Sequence, residues 1–181
     1  MSSRNSDRKR LFLIDGYAML YRCHFALIRN PLITSYGLHT SALYGFTNQI
    51  LKLIEAESPD YIAAIFDSKE KTFRHEYYPS YKATREKMPE ELQIQLPYLW
   101  RILKGLNVFY TSTPGFEADD IVGTVVKNAE KENMDTFIVS GDKDFMQLVN
   151  NNVFLYSPGG ARSQTKIYDK KGVEERWGVP P

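Results

Sequence analysis

The sequence predicts an α/β fold with a mainly parallel central sheet and helices on both faces. Three short apolar runs, at 11–14, 61–66 and 136–139, each lead into an aspartate. Unbroken apolar runs of this length are typical of strands buried on both faces of a parallel sheet. Helical periodicity separates them, as in βαβ units. With 181 residues, the chain is long enough for one substantial core, so we expect one compact domain.

The remaining elements follow from local patterns. Residues 1–9 lack apolar periodicity, so we expect a disordered basic tail ahead of a domain over 10–181. The spacing of apolar residues predicts helices around 43–54, 92–103 and 118–129. It also predicts a strand at 108–110, between the second and third helices, and a hairpin of 153–156 with 164–168. Gly105 is suited to end the second helix, and Pro158-Gly159-Gly160 to turn the hairpin.

Composition excludes several classes of protein. The 23 Lys and Arg against 22 Asp and Glu give a net charge of +1, which argues against a uniformly basic nucleic-acid coat. Cys23 is the single cysteine, which excludes an internal disulfide and a cysteine-based zinc site and favours a reducing compartment. In a helix, Cys23 is expected to pack rather than to act as a nucleophile. With neither a signal peptide nor a membrane span, we expect a cytoplasmic protein without a membrane partner.

Carboxylates are concentrated where ligands bind in α/β folds. Since sites lie outside the carboxyl ends of parallel strands, the aspartates after the three runs are placed to converge. A helix start and an Asp-x-Asp add to them, and the full set is Asp15, Asp67, Glu117, Asp119, Asp120, Asp142 and Asp144. Helix capping and turn formation are the alternative for any single member. So many acids in one cleft would repel one another unless cations were bound.

The donor set points to hard divalent cations. Oxygen ligands without Cys or suitably spaced His favour Mg²⁺ or Mn²⁺. One octahedral Mg²⁺ that keeps its waters needs fewer carboxylates than these, so two ions are expected. Two adjacent ions suit in-line attack of water on a phosphodiester.

A basic segment leaves the predicted sheet directly after Asp67. Residues 69–87 hold six Lys and Arg and several tyrosines but almost no aliphatic residues. Lys82 and Arg85 are three apart, so on one helical face they could contact a phosphate, while the tyrosines stack on unpaired bases. A solvated surface loop is the alternative.

Together these motifs resemble the 5′-nuclease domains of bacterial DNA polymerase I, which are related to the flap endonucleases. The matching stretches are Leu13-Ile14-Asp15-Gly16, Phe66-Asp67, Thr72-Phe73-Arg74-His75-Glu76, Tyr81-Lys82-Ala83-Thr84-Arg85, Gly115-Phe116-Glu117-Ala118-Asp119-Asp120, Ser140-Gly141-Asp142-Lys143-Asp144 and Trp177-Gly178-Val179-Pro180-Pro181. The resemblance implies a PIN-like (resolvase-like) domain with a basic helical arch at about 69–90. It also implies removal of 5′ flaps and RNA primers in DNA replication and repair.

The resemblance further implies a role for each site residue. Asp15, Asp67, Glu117 and Asp119 would serve a first Mg²⁺, Asp142 and Asp144 a second, and Asp120 would support the cluster, with Mn²⁺ as a possible substitute. Lys82 and Arg85 would be catalytic residues in the arch, and Tyr81, Arg74 and Arg22 further DNA contacts.

One departure from the family concerns the end of the chain. The family continues into a helix–hairpin–helix and a polymerase portion, whereas this sequence stops at Pro181 and has no aspartate after Asp169. We therefore expect a fragment of a larger, nucleoid-associated polymerase, monomeric, with a complete first metal site and an under-liganded second one.

Two other functions remain open at this point. Asp142-Lys143-Asp144 after an apolar strand also fits a phosphatase of the haloacid dehalogenase type, although Met146 stands where that family has Thr or Val. The chain could also bind metal and flaps without full activity of its own.

Overall fold

The computed structural model describes residues 8–84, 86–160 and 163–181. Within them a six-stranded sheet has the order β3-β2-β1-β4-β5-β6. The strands are β1 (Arg10–Asp15), β2 (Tyr61–Ile65), β3 (Phe109–Thr111), β4 (Asp135–Val139), β5 (Val153–Ser157) and β6 (Lys166–Tyr168). The helices are α1 (Gly16–Ala26), α2 (Ser41–Glu57), α3 (Phe73–Tyr77), α4 (Glu90–Gln93), α5 (Leu96–Gly105), α6 (Ala118–Lys131) and α7 (Lys170–Trp177), with a 3₁₀ helix at Asp144–Leu148. Strands β1 to β5 are parallel and β6 pairs antiparallel with β5, which confirms the predicted sheet and hairpin.

Alternation along β1 divides the core between the two faces of the sheet. Phe12 and Ile14 are fully buried on one face, against α1, α2 and α5. Leu13 lies on the other face, against α6, α7 and the 3₁₀ helix. Ile14 pairs with Ala64 of β2 and Val139 of β4, so the carboxyl ends of these three strands lie side by side. The predicted α/β fold with helices on both faces is confirmed.

The helix expected around 92–103 is two helices. Pro97 lies in the first turn of α5 and has no N–H for a continuous helical ladder. Gln95, in the junction, is fully buried and bridges to α2, since its Oε1 accepts the N–H of Leu43 at 3.2 Å. Its amide also donates to the Glu91 carbonyl at 2.6 Å. The buried Gln95 side chain thus connects the junction between α4 and α5 to α2.

The basic segment is less helical than expected. Its described residues before α4 form the short helix α3 and turns, and Lys82 has a left-handed backbone with φ of 53°. The prediction that Lys82 lies on a helical face is therefore wrong, because a positive φ does not fit a right-handed helix. Arg85 lies outside the described residues.

Part of the expected tail belongs to the fold. Residues 1–7 lie outside the described residues, but Arg8 donates to Asp135 at 3.3 Å and Lys9 donates to the Tyr61 hydroxyl at 3.0 Å. The Lys9 carbonyl also accepts the N–H of Asp135. The tail boundary at residue 9 is therefore too late. None of the helices formed by the described residues has the length and apolar character needed to cross a membrane.

Gly16, directly after β1, is required by close packing. A Cβ at this position would lie 2.3–2.5 Å from the ring of Phe66, which is itself buried. Phe66 precedes Asp67, and Gly16 follows Asp15. The ring therefore fits between the two strand ends only when residue 16 has no side chain.

Candidate active site

Four aspartates line one cavity at the carboxyl edge of the sheet. Asp15 ends β1, Asp67 follows β2, Asp142 follows β4, and Asp119 lies in the first turn of α6. All four border a cleft of about 560 Å³, together with Lys82 from the basic segment. We call this cavity the carboxylate cleft. The predicted convergence of the strand-end aspartates is confirmed.

Asp15 is the most buried member of the cleft. Its Oδ1 accepts the N–H of Ala18 and caps α1, so the capping interpretation also holds for this residue. Its Oδ2 accepts the Ser140 hydroxyl at 2.9 Å. Burial raises the pKa of Asp15, with opposing contributions from these two hydrogen bonds. The Asp15 carboxyl group is therefore partly desolvated and lies beside other acidic side chains.

Ser140 is a site residue that the sequence reasoning missed. It is buried, donates to Asp15, and its Oγ also accepts the N–H of Asp142 at 3.0 Å. It thereby fixes the strand ends of β1 and β4 relative to each other. Its place in Ser140-Gly141-Asp142 was the available signal.

Asp67 and Asp119 connect the cleft to α6. Asp67 Oδ1 accepts the N–H of Ala118 at 2.8 Å, which joins the end of β2 to the start of that helix. The pKa of Asp119 is raised to about 6, first by desolvation and then by the charges of Asp15, Asp67 and Asp142. The four carboxylates are therefore close enough to repel one another, and a cation in the cleft would relieve that repulsion.

Glu117 and Asp120 face the basic segment. Lys82 Nζ lies 3.0 Å from Glu117 Oε1, and the Tyr81 hydroxyl donates to Glu117 Oε2 at 3.2 Å. Arg74 binds Asp120 through both guanidinium nitrogens, at 2.7 and 2.8 Å. These hydrogen bonds from Arg74 lower the pKa of Asp120. Three residues expected to contact DNA are thus held against the acids at the start of α6.

Asp120 also has a structural role at this helix start. Its Oδ2 accepts the N–H of Glu117 at 3.0 Å, as an acid in the first turn of a helix often does. Its two partners are therefore the helix backbone and Arg74. Asp144 lies outside the lining of the carboxylate cleft and donates its backbone N–H to Asp142 Oδ1 at 2.9 Å.

The expected complete first metal site is not preformed. Among the residues that the structure describes, no three Asp, Glu, His or Cys side chains are arranged to hold one metal ion. The reason is visible in their hydrogen bonds, because Asp67 is turned to Ala118 and Glu117 to Lys82 and Tyr81. The chemistry of the set still fits a hard divalent cation, since every donor is oxygen and acidic side chains outnumber basic ones in the described lining of the cleft.

Two further expectations concern α1. Arg22 donates to the Pro158 carbonyl at 2.6 Å, so its guanidinium lies at the β5–β6 hairpin and is absent from the lining of the carboxylate cleft. Cys23 is buried, and burial raises the pKa of its thiol to about 11. A thiol in this state is protonated at neutral pH, which agrees with packing rather than nucleophilic chemistry.

Comparison with known proteins gives the family. Residues 10–178 match the family model described as 5′-3′ exonuclease, N-terminal resolvase-like domain. DNA polymerase I of Caldicellulosiruptor bescii is 39% identical over 172 residues, covering 94% of this chain and 20% of that protein. DNA polymerase I of Bacillus subtilis is 36% identical over 177 residues, covering 97% and 20%. The chain thus spans about a fifth of the length of these relatives.

Solved structures show the same fold. T5 5′-exonuclease with bound zinc ions superposes with a TM-score of 0.71 at 22% identity, covering 94% of this chain and 62% of that one. A T5 flap endonuclease in complex with DNA and metal ions gives a TM-score of 0.66 at 19% identity, covering 94% and 61%. The architecture is accordingly PIN-like. By its sequence match over nearly its whole length, the chain belongs to the family of 5′-3′ exonuclease N-terminal resolvase-like domains.

Proposed function

We propose that this chain is the 5′-nuclease part of a bacterial DNA polymerase I and hydrolyses phosphodiester bonds near the 5′ end of a flap or an RNA primer. The observation that supports it most directly is the carboxylate cleft, where Asp15, Asp67, Asp119 and Asp142 meet in one cavity that Lys82 also lines. The proposed partners are DNA and the polymerase portion of a longer chain. For the protein itself we propose a monomer in the bacterial cytoplasm, associated with the nucleoid.

The cofactor in this proposal is a pair of divalent ions, Mg²⁺ with Mn²⁺ as a substitute. Asp15, Asp67 and Asp119 would hold the first ion, and Asp142 the second. Glu117 can join the first set once Lys82 leaves it, and Asp144 the second. When bound, such ions supply Lewis-acid activation of the attacking water and stabilise charge on the leaving oxygen.

The side chains around the cleft do the positioning. Ser140 and Ala118 hold Asp15 and Asp67 at fixed places along the sheet edge, and Asp67 would turn from the Ala118 N–H towards a bound ion. Lys82 carries a positive charge in the lining of the cleft, where it can pass from Glu117 to a substrate phosphate. Arg85, three residues further along the basic segment, is the proposed second phosphate contact.

Arg74 and Asp120 have a different place in the mechanism. Their bidentate ion pair holds the basic segment on the first turn of α6. Asp120 in turn holds the backbone of Glu117. We therefore assign this pair to orienting the cleft wall, while Tyr81 and Arg22 remain proposed DNA contacts.

Cleavage of a 5′-labelled flap duplex tests the function. We expect cutting that requires Mg²⁺ or Mn²⁺, stops in EDTA, and is abolished in Asp142→Asn. Glu55→Gln removes an exposed carboxylate on α2 that does not line the cleft, and it should cut as the wild type does.

Other outcomes identify the alternatives. Metal-dependent stabilisation of the fold without cutting would indicate a binding module. Hydrolysis of a small phosphate monoester would favour the phosphatase, which leaves Asp15, Asp67 and Asp119 without a role. Full activity in Asp142→Asn would contradict the proposed site.

A further inference from the structure

A second cavity opens beside the carboxylate cleft, between α1 and α5. It has a volume of about 520 Å³, and α1 contributes Tyr17 and Tyr21 to its wall. From α5 come Leu96, Pro97 and Trp100. We call it the aromatic pocket. The proposed nuclease function assigns no role to this pocket.

The aromatic pocket adjoins the carboxylate cleft. Tyr17, Tyr21 and Asp67 line both cavities. A group seated in the aromatic pocket is therefore adjacent to the acids of the cleft.

Ring contacts make the wall of the aromatic pocket rigid. Trp100 stacks on Tyr110 with ring centroids 5.3 Å apart, and it meets Phe66 edge-on at 4.7 Å. Tyr17 meets Phe66 edge-on at 5.1 Å. Trp100 is only half-buried, so part of the indole faces the pocket. An aromatic surface held in place by other rings loses little side-chain entropy when a flat ligand packs on it.

The charges of the pocket select which part of a nucleotide fits. Among its described lining residues Lys69 is the cation, while Asp67 and Glu86 are acidic. The aromatic pocket lacks the further aspartates that we propose to hold the ions, so its acidic rim disfavours a phosphate, whereas an uncharged planar ring suits the mixed aromatic and aliphatic wall. A nucleobase has that shape, and every base has a π-face for such contacts.

We propose that the aromatic pocket binds one unpaired nucleobase of the substrate strand, packed against Trp100 and Tyr17, while an adjoining phosphodiester lies in the carboxylate cleft. This inference rests on the proposed nuclease function and adds a base-binding subsite to it. Because packing rather than hydrogen bonding holds the base, the subsite accepts all four bases. The position of the unpaired base is then set by its contacts with the protein and does not depend on contacts with the duplex.

Tryptophan fluorescence can test the subsite directly. The chain has two tryptophans, so Trp177→Phe leaves Trp100 as the single reporter. This variant is titrated with a flap duplex that carries a dye at the 3′ end, once in EDTA and once in Ca²⁺. We expect a saturable change in Trp100 emission with the same midpoint as the dye anisotropy.

An abasic scan separates base contact from a general change on binding. Flap duplexes with one abasic site at successive positions of the 5′ strand should each bind, but the Trp100 change should disappear at one or two adjacent positions. The matched control is Trp100→Phe, which leaves Trp177 as the reporter. Trp177 donates a hydrogen bond to the Met146 sulfur and lies outside the pocket lining. Its emission should not depend on the abasic position.

Affinity gives a second measurement. Trp100→Leu should weaken binding of the flap about tenfold, the loss typical of one stacked base, with thermal unfolding recorded to confirm that the variant is folded. A Trp100 emission change that is the same for every abasic position would contradict the proposed subsite, even if cleavage and anisotropy support the nuclease function. Absence of DNA binding in both EDTA and Ca²⁺ would contradict the subsite and the proposed function together.

Discussion

Replacing Asp119 by asparagine is expected to stabilise the fold near neutral pH when no divalent metal is present. The pKa of this carboxyl is raised from 3.8 to about 6, first by desolvation and then by the charges of Asp15, Asp67 and Asp142. The folded chain therefore holds the Asp119 proton more tightly than the unfolded chain does. Ionisation of Asp119 as the pH rises through 6 lowers the free energy of unfolding, and asparagine avoids that loss.

The magnitude follows from the linkage between proton binding and folding. A rise in pKa from 3.8 to about 6 corresponds to about 3 kcal/mol. Solvent screens much of this, because the Asp119 side chain is exposed at the mouth of the cleft. Asparagine also loses the favourable interaction of an acid with the first turn of α6, about 0.5 kcal/mol. We expect a net gain of about 1 kcal/mol above pH 7 and a small one near pH 4.

Urea unfolding in EDTA from pH 4 to pH 8 measures the effect. The midpoint of Asp119→Asn should exceed that of the wild type by an amount that grows through pH 6, while Glu55→Gln, the exposed control on α2, should show no such trend. Added Mg²⁺ should stabilise the wild type more than Asp119→Asn and narrow the difference. A difference that stays constant across the pH range, or a destabilised variant, would refute the argument from repelling carboxylates.

Three shorter predictions concern other parts of the molecule. Lys82→Ala should weaken flap binding and lower the slope of log affinity against log salt by about one phosphate contact, and an unchanged slope would exclude a phosphate role. Thr136→Val should raise the free energy of unfolding, measured by urea titration, by about 1 kcal/mol, because the buried Thr136 hydroxyl has no hydrogen-bond partner among the described residues. Gly16→Ala should destabilise the fold by about 2 kcal/mol or more, since the new Cβ would overlap the ring of Phe66; a thermal shift near zero would contradict that packing.

The parts of the fold that the sequence predicts well are those with local patterns. Buried parallel strands are unbroken apolar runs, and the aspartates that follow them mark the carboxyl edge of the sheet without any knowledge of contacts. The convergence of Asp15, Asp67 and Asp142 follows from that edge alone. Helix α6 has both an acidic start and a clear apolar period, so its bounds were also accessible.

The parts that the sequence does not predict depend on contacts between distant residues. The break before α5 is stabilised by a hydrogen bond between Gln95 and Leu43 of α2, which are 52 residues apart. Arg74 is held by Asp120, 46 residues away, so its pairing with an acid is invisible in a motif. The left-handed turn at Lys82 likewise has no signature in the sequence, because lysine does not favour positive φ.

The order in which the strands are synthesised differs from their order in the sheet. β1 lies between β2 and β4, and the hydrogen bond between Asp15 and Ser140 spans 125 residues. During translation β1 can pair with β2 early, but its other edge stays open until β4 has left the ribosome. Closing contacts over such distances is slow. A growing chain therefore holds Asp15 beside Asp67 before β4 brings Asp142 to them, and the carboxylate cleft is complete only once β1 has paired along both of its edges.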